Sequence, residues 1–416
     1  MRLRLRLLFI FLLLILFVTA ILLTTVPGFG AKGADFLRPL IGNEGVAALE
    51  TVYFTAQDAF RKWQYEVGLA EPETPWEVAP VLLPTVSPVP PTPTRTTTPP
   101  AENAAANFTP SPSPIPSTPV PTPAPTATPP GWQPAPVTAM GSLVGEGTWT
   151  PYLHDEAGQV VAYRTFLQPD PERGFAIAAV VAFDLRQTRL NFVLGTEEPG
   201  QDDGPRGYGV IAAADKQANH LLATFNGGFQ TTHGNFGAMA DGILAVPARD
   251  GFGTVAMYAD GTVAIGAWNE DIVPTADLLA WRQNGRLVIH DGEVNERVFN
   301  DSIADWGGSI NGEIVTWRSG LAISLDQQWL YYIAGPSLSM PVLAETMLQI
   351  GAANGLLLDI NASWVHFTAI HPAEDGTLVP EPLFPEGMET LVDRYLRPHQ
   401  RDFFYITLAQ PSYSPE

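Results

Sequence analysis

The sequence predicts an α+β fold: mixed, mostly antiparallel twisted sheets with a few packed helices, carried behind an apolar N-terminal segment and a proline-rich stalk. Three observations lead there. Between Gly141 and about Leu408, short apolar runs of strand length alternate with Gly, Asp and Asn turns. A single stretch in that region, Ser339 to Gly355, has clear helical spacing. Ahead of it the composition changes abruptly, from apolar to amphipathic to proline-rich.

Residues 1–30 read as a transmembrane signal-anchor. Leu7 to Val26 is an uncharged run of 20 residues, which as a helix spans roughly 30 Å. Arg2, Arg4 and Arg6 precede it, so the positive-inside tendency keeps the N-terminus cytoplasmic and places the rest outside a cell membrane crossed once. A cleaved signal peptide competes with this reading, but its apolar core usually runs only about 7–15 residues.

Residues 31–76 form a juxtamembrane amphipathic region. Val46, Leu49, Val52, Tyr53, Ala56, Phe60 and Trp63 recur at nearly helical spacing. Such a face suits the bilayer surface or self-association with another copy, and a helix packed on nothing in particular stands beside both.

Residues 77–140 read as a disordered Pro/Thr-rich stalk. Between Pro84 and Pro136 lie 19 of the 40 prolines, with only Arg95 and Glu102 charged. No core can form there, and extended polyproline II reaches at most on the order of 160 Å at about 3.1 Å per residue.

Residues 141–416 carry the globular domain. Expected strands are Phe175–Phe183, Leu190–Leu194, Gly209–Ala213, Leu221–Phe225, Val255–Tyr258, Thr262–Ile265, Leu287–Ile289, Gly320–Ser324 and Trp329–Ile333. Asp241-Gly242, Asp260-Gly261 and Asp291-Gly292 each stand beside such a run, and the latter two read as hairpin turns. Ser339 caps a helix with Pro341 in its first turn and Leu343, Met347 and Ile350 on one face, stopped by Gly355. Leu356 to Leu358 then form a strand buried on both faces that delivers Asp359, Asn361, Ser363, Trp364 and His366. A second apolar run, Leu221 to Phe225, delivers Asn226-Gly227-Gly228 and, further on, His233. The two strand ends are expected to meet in one site.

Composition narrows the function. A formal charge of -21, from 22 basic and 43 acidic side chains, argues against a nucleic-acid binder. With no cysteine, neither a thiolate nucleophile nor a thiolate metal site exists. No zinc signature, phosphate-binding loop, nucleophile elbow or dinucleotide fingerprint is present. No cofactor is expected; Asp and Asn oxygens are compatible with a divalent cation, though no dedicated ligand spacing is visible.

Several segments, in order, carry a family resemblance: AAVVAFDLRQTRLNFVL, LLATFNGGF, GAMADGILA, YADGTVAIGAW, NGRLVIHDGEV, TWRSGLAIS, MPVLAETMLQIGAANG and LLLDINASW. Together, over about Val160 to Ile370, they resemble the phosphodiester glycosidase domain family. The resemblance implies hydrolysis of a sugar-1-phosphodiester or a related surface-glycan linkage, with a carbohydrate or glycan phosphodiester as partner. It implies catalytic roles for Asp359, Asn226 and Arg318. Gly227 and Gly228 would let backbone N–H groups approach an oxyanion, Asn226 would bind sugar or phosphate, and the planar fork of Arg318 suits a phosphate. The family's Leu-Asp-Gly-Gly-Gly-Ser motif is here Leu358-Asp359-Ile360-Asn361-Ala362-Ser363, followed by Trp364. Two outcomes stay open. Either Trp364 is a sugar-stacking platform and Asn361, His366 and His233 are added polar groups around a remodelled catalytic site, or the fold binds glycans without hydrolysis.

Overall fold

The computed structural model describes residues 29–78, 132–299, 303–306, 313–385, 387–388 and 391–409. The apolar run Leu7 to Val26 and all but the end of the proline-rich stretch lie outside them. Among the described residues no helix is long and apolar enough to cross a membrane.

The first element is helix α1, Phe29–Glu66, interrupted at Gly42, whose φ of 74° leaves the helical region. Strands β1 (Thr150–His154), β2 (Val160–Leu167), β3 (Ala178–Asp184), β4 (Thr188–Val193) and β5 (Leu221–Asn226) follow. Next come β6 (Ala238–Ala240), β7 (Ile243–Val246), β8 (Gly253–Tyr258), β9 (Val263–Ala267), β10 (Leu278–Gln283), β11 (Leu287–His290) and β12 (Glu293–Val294). The short helix α2 (Ile303–Trp306) leads to β13 (Thr316–Ser324), β14 (Trp329–Leu338), helix α3 (Met340–Gln349) and β15 (Ala352–Ile360). Strands β16 (Phe367–Pro372), β17 (Leu378–Pro382) and β18 (Phe403–Leu408) complete the chain.

These strands form three sheets whose ladders are antiparallel throughout: an eight-stranded sheet β1-β2-β3-β14-β13-β15-β11-β12, and five-stranded sheets β7-β6-β10-β8-β9 and β17-β16-β5-β18-β4. The α+β class expected from the sequence is therefore the class observed. β14 and β15 flank β13 and run parallel to each other, which requires a crossover; α3 supplies it. Ser339 caps α3 by accepting the Val342 N–H, and Pro341 sits in its first turn. The stop is not at Gly355, as expected, but at Gly351, whose φ of 75° is the left-handed C-terminal geometry. Gly355 lies inside β15 instead. There a Cβ would come 2.8 Å from Met347 Sδ, and on β13 a Cβ at Gly320 would run into Met347 Cε, so both glycines let α3 lie close on the sheet.

Side-chain alternation divides the core. One cluster joins Phe183, Leu321, Tyr332, Leu356 and Leu358 of the large sheet to Phe225, Phe367 and Phe404 of the β5 sheet. Rings pack through it, with Phe225 tilted against Tyr332 at 4.9 Å and stacked on Phe404 at 5.5 Å. A second cluster, with Val180, Tyr331, Ile333 and Leu357, covers the other face under α3 residues Leu343 and Met347. Gly335 on β14 is packed against main chain, since a Cβ there would collide with the Ile177 carbonyl. Gly335→Ala is expected to cost about 1–3 kcal/mol as the strand shifts, measurable by urea unfolding.

The hairpin turn expected at Asp291-Gly292 joins β11 to β12, and Asp241-Gly242 likewise joins β6 to β7, with all four residues at φ between 52° and 77°. Asp260-Gly261 joins β8 to β9. Gly209–Ala213, expected as a strand, is irregular. Gly209 has a φ of 66° and exchanges hydrogen bonds with Leu194 and His399, while Ile211 is buried in a local cluster, so the apolar run anchors a loop.

The described residues 29–78 and those from Gln133 onward belong to one compact unit. Asp58 of α1 pairs with Arg173 at 2.8 Å, Arg61 donates to Ser337, and Tyr65 packs on Phe175. Residues before Gly141 also pack on the domain: the Trp149 indole donates to the Ala135 carbonyl, and Val137 and Met140 lie against the α3 cluster.

Candidate active site

Four strand ends converge. Asn226 ends β5, Asp359 lies near the end of β15, Gln283 ends β10 with Asn284 just past it, and Arg401-Asp402 immediately precede β18. The register brings them together: Phe403 at the start of β18 pairs with Asn226, and His366, just before β16, accepts the Asn226 N–H through its carbonyl.

Asp359 is 3% exposed. One carboxylate oxygen accepts the Ile360 N–H at 2.9 Å; the other accepts Arg401 Nη2 at 2.7 Å. Burial pushes its pKa up to about 6, against the opposing pull of Arg401. The same Arg401 nitrogen donates to the Gly228 carbonyl at 2.7 Å, and its guanidinium lies 4.4 Å over the Trp364 ring. Arg394 reaches that ring too, at 5.8 Å, and donates to the Ser363 carbonyl.

Beside this pair stands a second one. Arg282 Nε meets Asp402 Oδ2 at 2.7 Å with both side chains 1% exposed, and two other Arg282 nitrogens donate to the carbonyls of Gln283 and Phe229, each at 2.6 Å. Asp402 also accepts the Gly228 N–H at 3.2 Å. Asn284 accepts the Phe229 N–H and donates to the carbonyls of Leu357 and Leu358, tying the glycine loop to β15. Two acids and two bases thus lie buried in a small volume.

The sequence-derived site residues are placed as follows. Asn226 is buried, and its amide is committed: Nδ2 donates to Gly227 O at 2.9 Å and Ser319 Oγ at 3.0 Å, while Oδ1 accepts from Tyr332 OH and the His366 N–H. Ser319 Oγ accepts the Asp359 N–H at 3.2 Å, so Asn226 reaches Asp359 through one side chain. The N–H groups of Gly227 and Gly228 donate to Asp402, and a Cβ on either glycine would strike Asp402 or the Arg282 and Asn284 side chains. Close packing therefore accounts for both glycines.

Arg318 pairs across the sheet with Ile360, next to Asp359 in sequence. Its Nε and Nη2 donate to the carbonyls of Leu338 and Ile314, both at 2.9 Å, and burial lowers its pKa to about 10. Asn361 takes the left-handed turn position, φ 82°, with Oδ1 accepting the Ser363 N–H, while Ile360 stays in the strand. His366 is buried, and its Nε2 lies 2.9 Å from Thr368 Oγ1. The same hydroxyl donates to the Val392 carbonyl at 2.9 Å. His233 lies beside Phe229, and burial, with Arg38 and Arg401 nearby, lowers its pKa to about 3.

Asp359, Asn226, Gly227, Gly228 and Trp364 are thus brought together, whereas Nε and Nη2 of Arg318 reach main-chain carbonyls outside that group. Arg401, Asp402, Arg282, Asn284 and Arg394 escaped the sequence reading. The Arg-Asp pair directly before the apolar FFYITL run, and a lone Arg inside LLAWRQN, are the signals that mark them. Among the described residues no group of three or more His, Asp or Glu side chains is placed to hold a metal ion.

No known family's profile matches the chain, and no curated protein matches it. Solved structures do. The catalytic domain of zebrafish N-acetylglucosamine-1-phosphodiester alpha-N-acetylglucosaminidase, auto-inhibited by its pro-peptide, is similar at 13% identity with a TM-score of 0.39, covering 62% of this chain and 86% of that one. A hypothetical protein from Synechocystis is similar at 12% identity with a TM-score of 0.30, over 56% of this chain and 59% of that one. These are distant likenesses of fold.

Proposed function

We propose that the protein is a hydrolase of the phosphodiester glycosidase type, acting on a sugar-1-phosphodiester or a related surface-glycan linkage. The observation that carries this reading is the Asp359 carboxyl, buried and raised to about 6, held by Arg401 beneath the Trp364 ring. A carboxyl tuned this way keeps its proton at mildly acidic pH, well above the ordinary carboxylate range, and can hand it to a departing phosphate oxygen as the glycosidic C–O bond breaks. Water supplies the hydroxyl to the sugar carbon, leaving a reducing sugar and a phosphomonoester. Trp364 offers a face for the sugar ring, and Arg401 and Arg394 supply positive charge near the phosphate. Asn226, Ser319 and the two glycines position the strand end that carries Asp359. In this reading Leu7 to Val26 anchors the domain outside a cell membrane.

A second reading rests on a specific observation: both Asp359 oxygens are already engaged, which suits a glycan-binding module without turnover. One assay separates the two. The full-length protein is incubated with an alkyl sugar-1-phosphodiester, the matched alkyl glycoside and a sugar-free dialkyl phosphate. Turnover of the first alone, falling as pH rises through about 6, supports the hydrolase. Binding without product supports the module, and neither binding nor product removes both.

Trp364→Ala is expected to raise KM roughly tenfold with kcat little changed, because a ring face contributes about 1–1.5 kcal/mol to sugar binding. Initial-rate kinetics at several substrate concentrations check this split.

A further inference from the structure

We propose that α1 pairs with α1 of a second copy of this chain, in parallel and in register, through its exposed apolar stripe. The inference is independent of the reaction assigned above. Leu49, Tyr53, Ala56, Phe60 and Trp63 follow one another at intervals of four, three, four and three residues, the spacing of a coiled-coil seam, and Val67, one residue past the helix end, continues it. Val46, one step earlier in the same series, is buried.

The structure puts this seam on the side of the helix that faces away from its own domain. Phe54 is buried, and Asp58, Arg61 and Tyr65 hold the helix to Arg173, Ser337 and Phe175. The seam residues stay open: Leu49 is 53% exposed, Phe60 56%, Trp63 49% and Val67 51%. Phe60 and Trp63 stack on each other at 5.7 Å, forming a flat aromatic step in the middle of the stripe. A solvated helix of this length has no reason to carry such a row, and the domain beneath already fixes the helix, so the seam is displayed rigidly.

Area and charge select a second copy as the occupant. The stripe offers on the order of 500 Å² per copy, so a pair buries on the order of 1,000 Å², the lower bound for a specific interface. In a parallel pair the flanking positions that meet within the helix are Gly45 with Glu50, Val52 with Gln57, and Ala59 with Gln64, and no like charges face each other among them. The small side chains of Gly45 and Ala59 permit close approach on that flank. A helix lying on anionic lipid would instead flank its apolar face with Lys and Arg. Between Gly45 and Glu66 the basic residues are only Arg61 and Lys62; the first is turned to Ser337 and the second lies 3.4 Å from Glu172.

The chain has no cysteine, so one introduced thiol reports on one position. Ala56→Cys places it on the seam and Thr55→Cys one residue aside, both in the full-length protein in its native membrane or extract, oxidised with copper phenanthroline. The expected result is a disulfide-linked dimer from Ala56→Cys at least tenfold more abundant than from Thr55→Cys, lost when Phe60→Glu is added. Equal cross-linking at both positions is random collision and overturns the pairing. So does absence of cross-linking at Ala56→Cys, whether the thiol then reacts with an aqueous maleimide or is shielded from it by lipid.

Discussion

Replacing Arg282 by Met is expected to destabilise the protein by about 3–5 kcal/mol, the cost of leaving one buried carboxylate without its partner. Arg282 and Asp402 are each 1% exposed and meet at 2.7 Å, so solvent does not screen the loss. The damage extends beyond the pair. Arg282 also donates to the carbonyls of Phe229 and Gln283, and Asp402 holds the Gly228 N–H, so the glycine loop loses its anchor from both sides. Asp402→Asn should cost less, since an amide still accepts from Arg282 and from Gly228. Urea unfolding of both variants tests this, and a cost under 1 kcal/mol for Arg282→Met would contradict it.

Arg401→Met is expected to act on stability and chemistry together. Removing the cation leaves Asp359 buried without its charge partner, and its pKa moves further above about 6. The sign of the pH dependence follows. In the wild type the folded pKa of Asp359 lies above its ordinary value of 3.8, so this group's contribution to stability is full below about pH 4 and is lost as pH rises through about 6. In Arg401→Met the loss begins at the same pH, where the unfolded carboxyl ionises near 3.8, but continues to higher pH and goes deeper, because the ionised form has no partner. The variant should therefore be destabilised by about 3–5 kcal/mol near pH 8, and by much less near pH 5, where Asp359 is neutral in both proteins. Thermal melts across that range measure the difference. A pH-independent difference would show that Arg401 acts through packing on Trp364 rather than through charge.

Much of the fold was legible because its strands are short apolar runs closed by Asp-Gly or Gly turns. β5, β8 and β11 announce themselves in this way, while β13 and β14 are marked by their apolar runs alone, since the Leu325–Gln328 turn between them has no glycine. Gly209–Ala213 has the same local look but is held by Leu194 and His399, which sequence spacing cannot show. β10 was hidden by its own Arg282, a charge inside the apolar run Leu278–Gln283 that makes sense only once Asp402, 120 residues later, is beside it. The site divides along the same line. Asp359, Asn226 and the glycines are local signals at strand ends. Arg401 is visible only through pairing, since it lies 42 residues from Asp359 and 173 from Gly228. The glycine run expected after Asp359 proved dispensable for the turn itself, because Asn361 alone takes the left-handed position.

The central claim is that the buried Asp359 carboxyl donates the proton in the proposed hydrolysis. The direct measurement is kcat for an alkyl sugar-1-phosphodiester at pH 5.5, wild type against Asp359→Asn, with folding of the variant verified by its melting curve. Asparagine keeps the size and the hydrogen-bonding shape but carries no proton to give, so kcat should fall by roughly 10² to 10⁴ while substrate binding persists. Equal turnover by the two proteins would contradict the assignment.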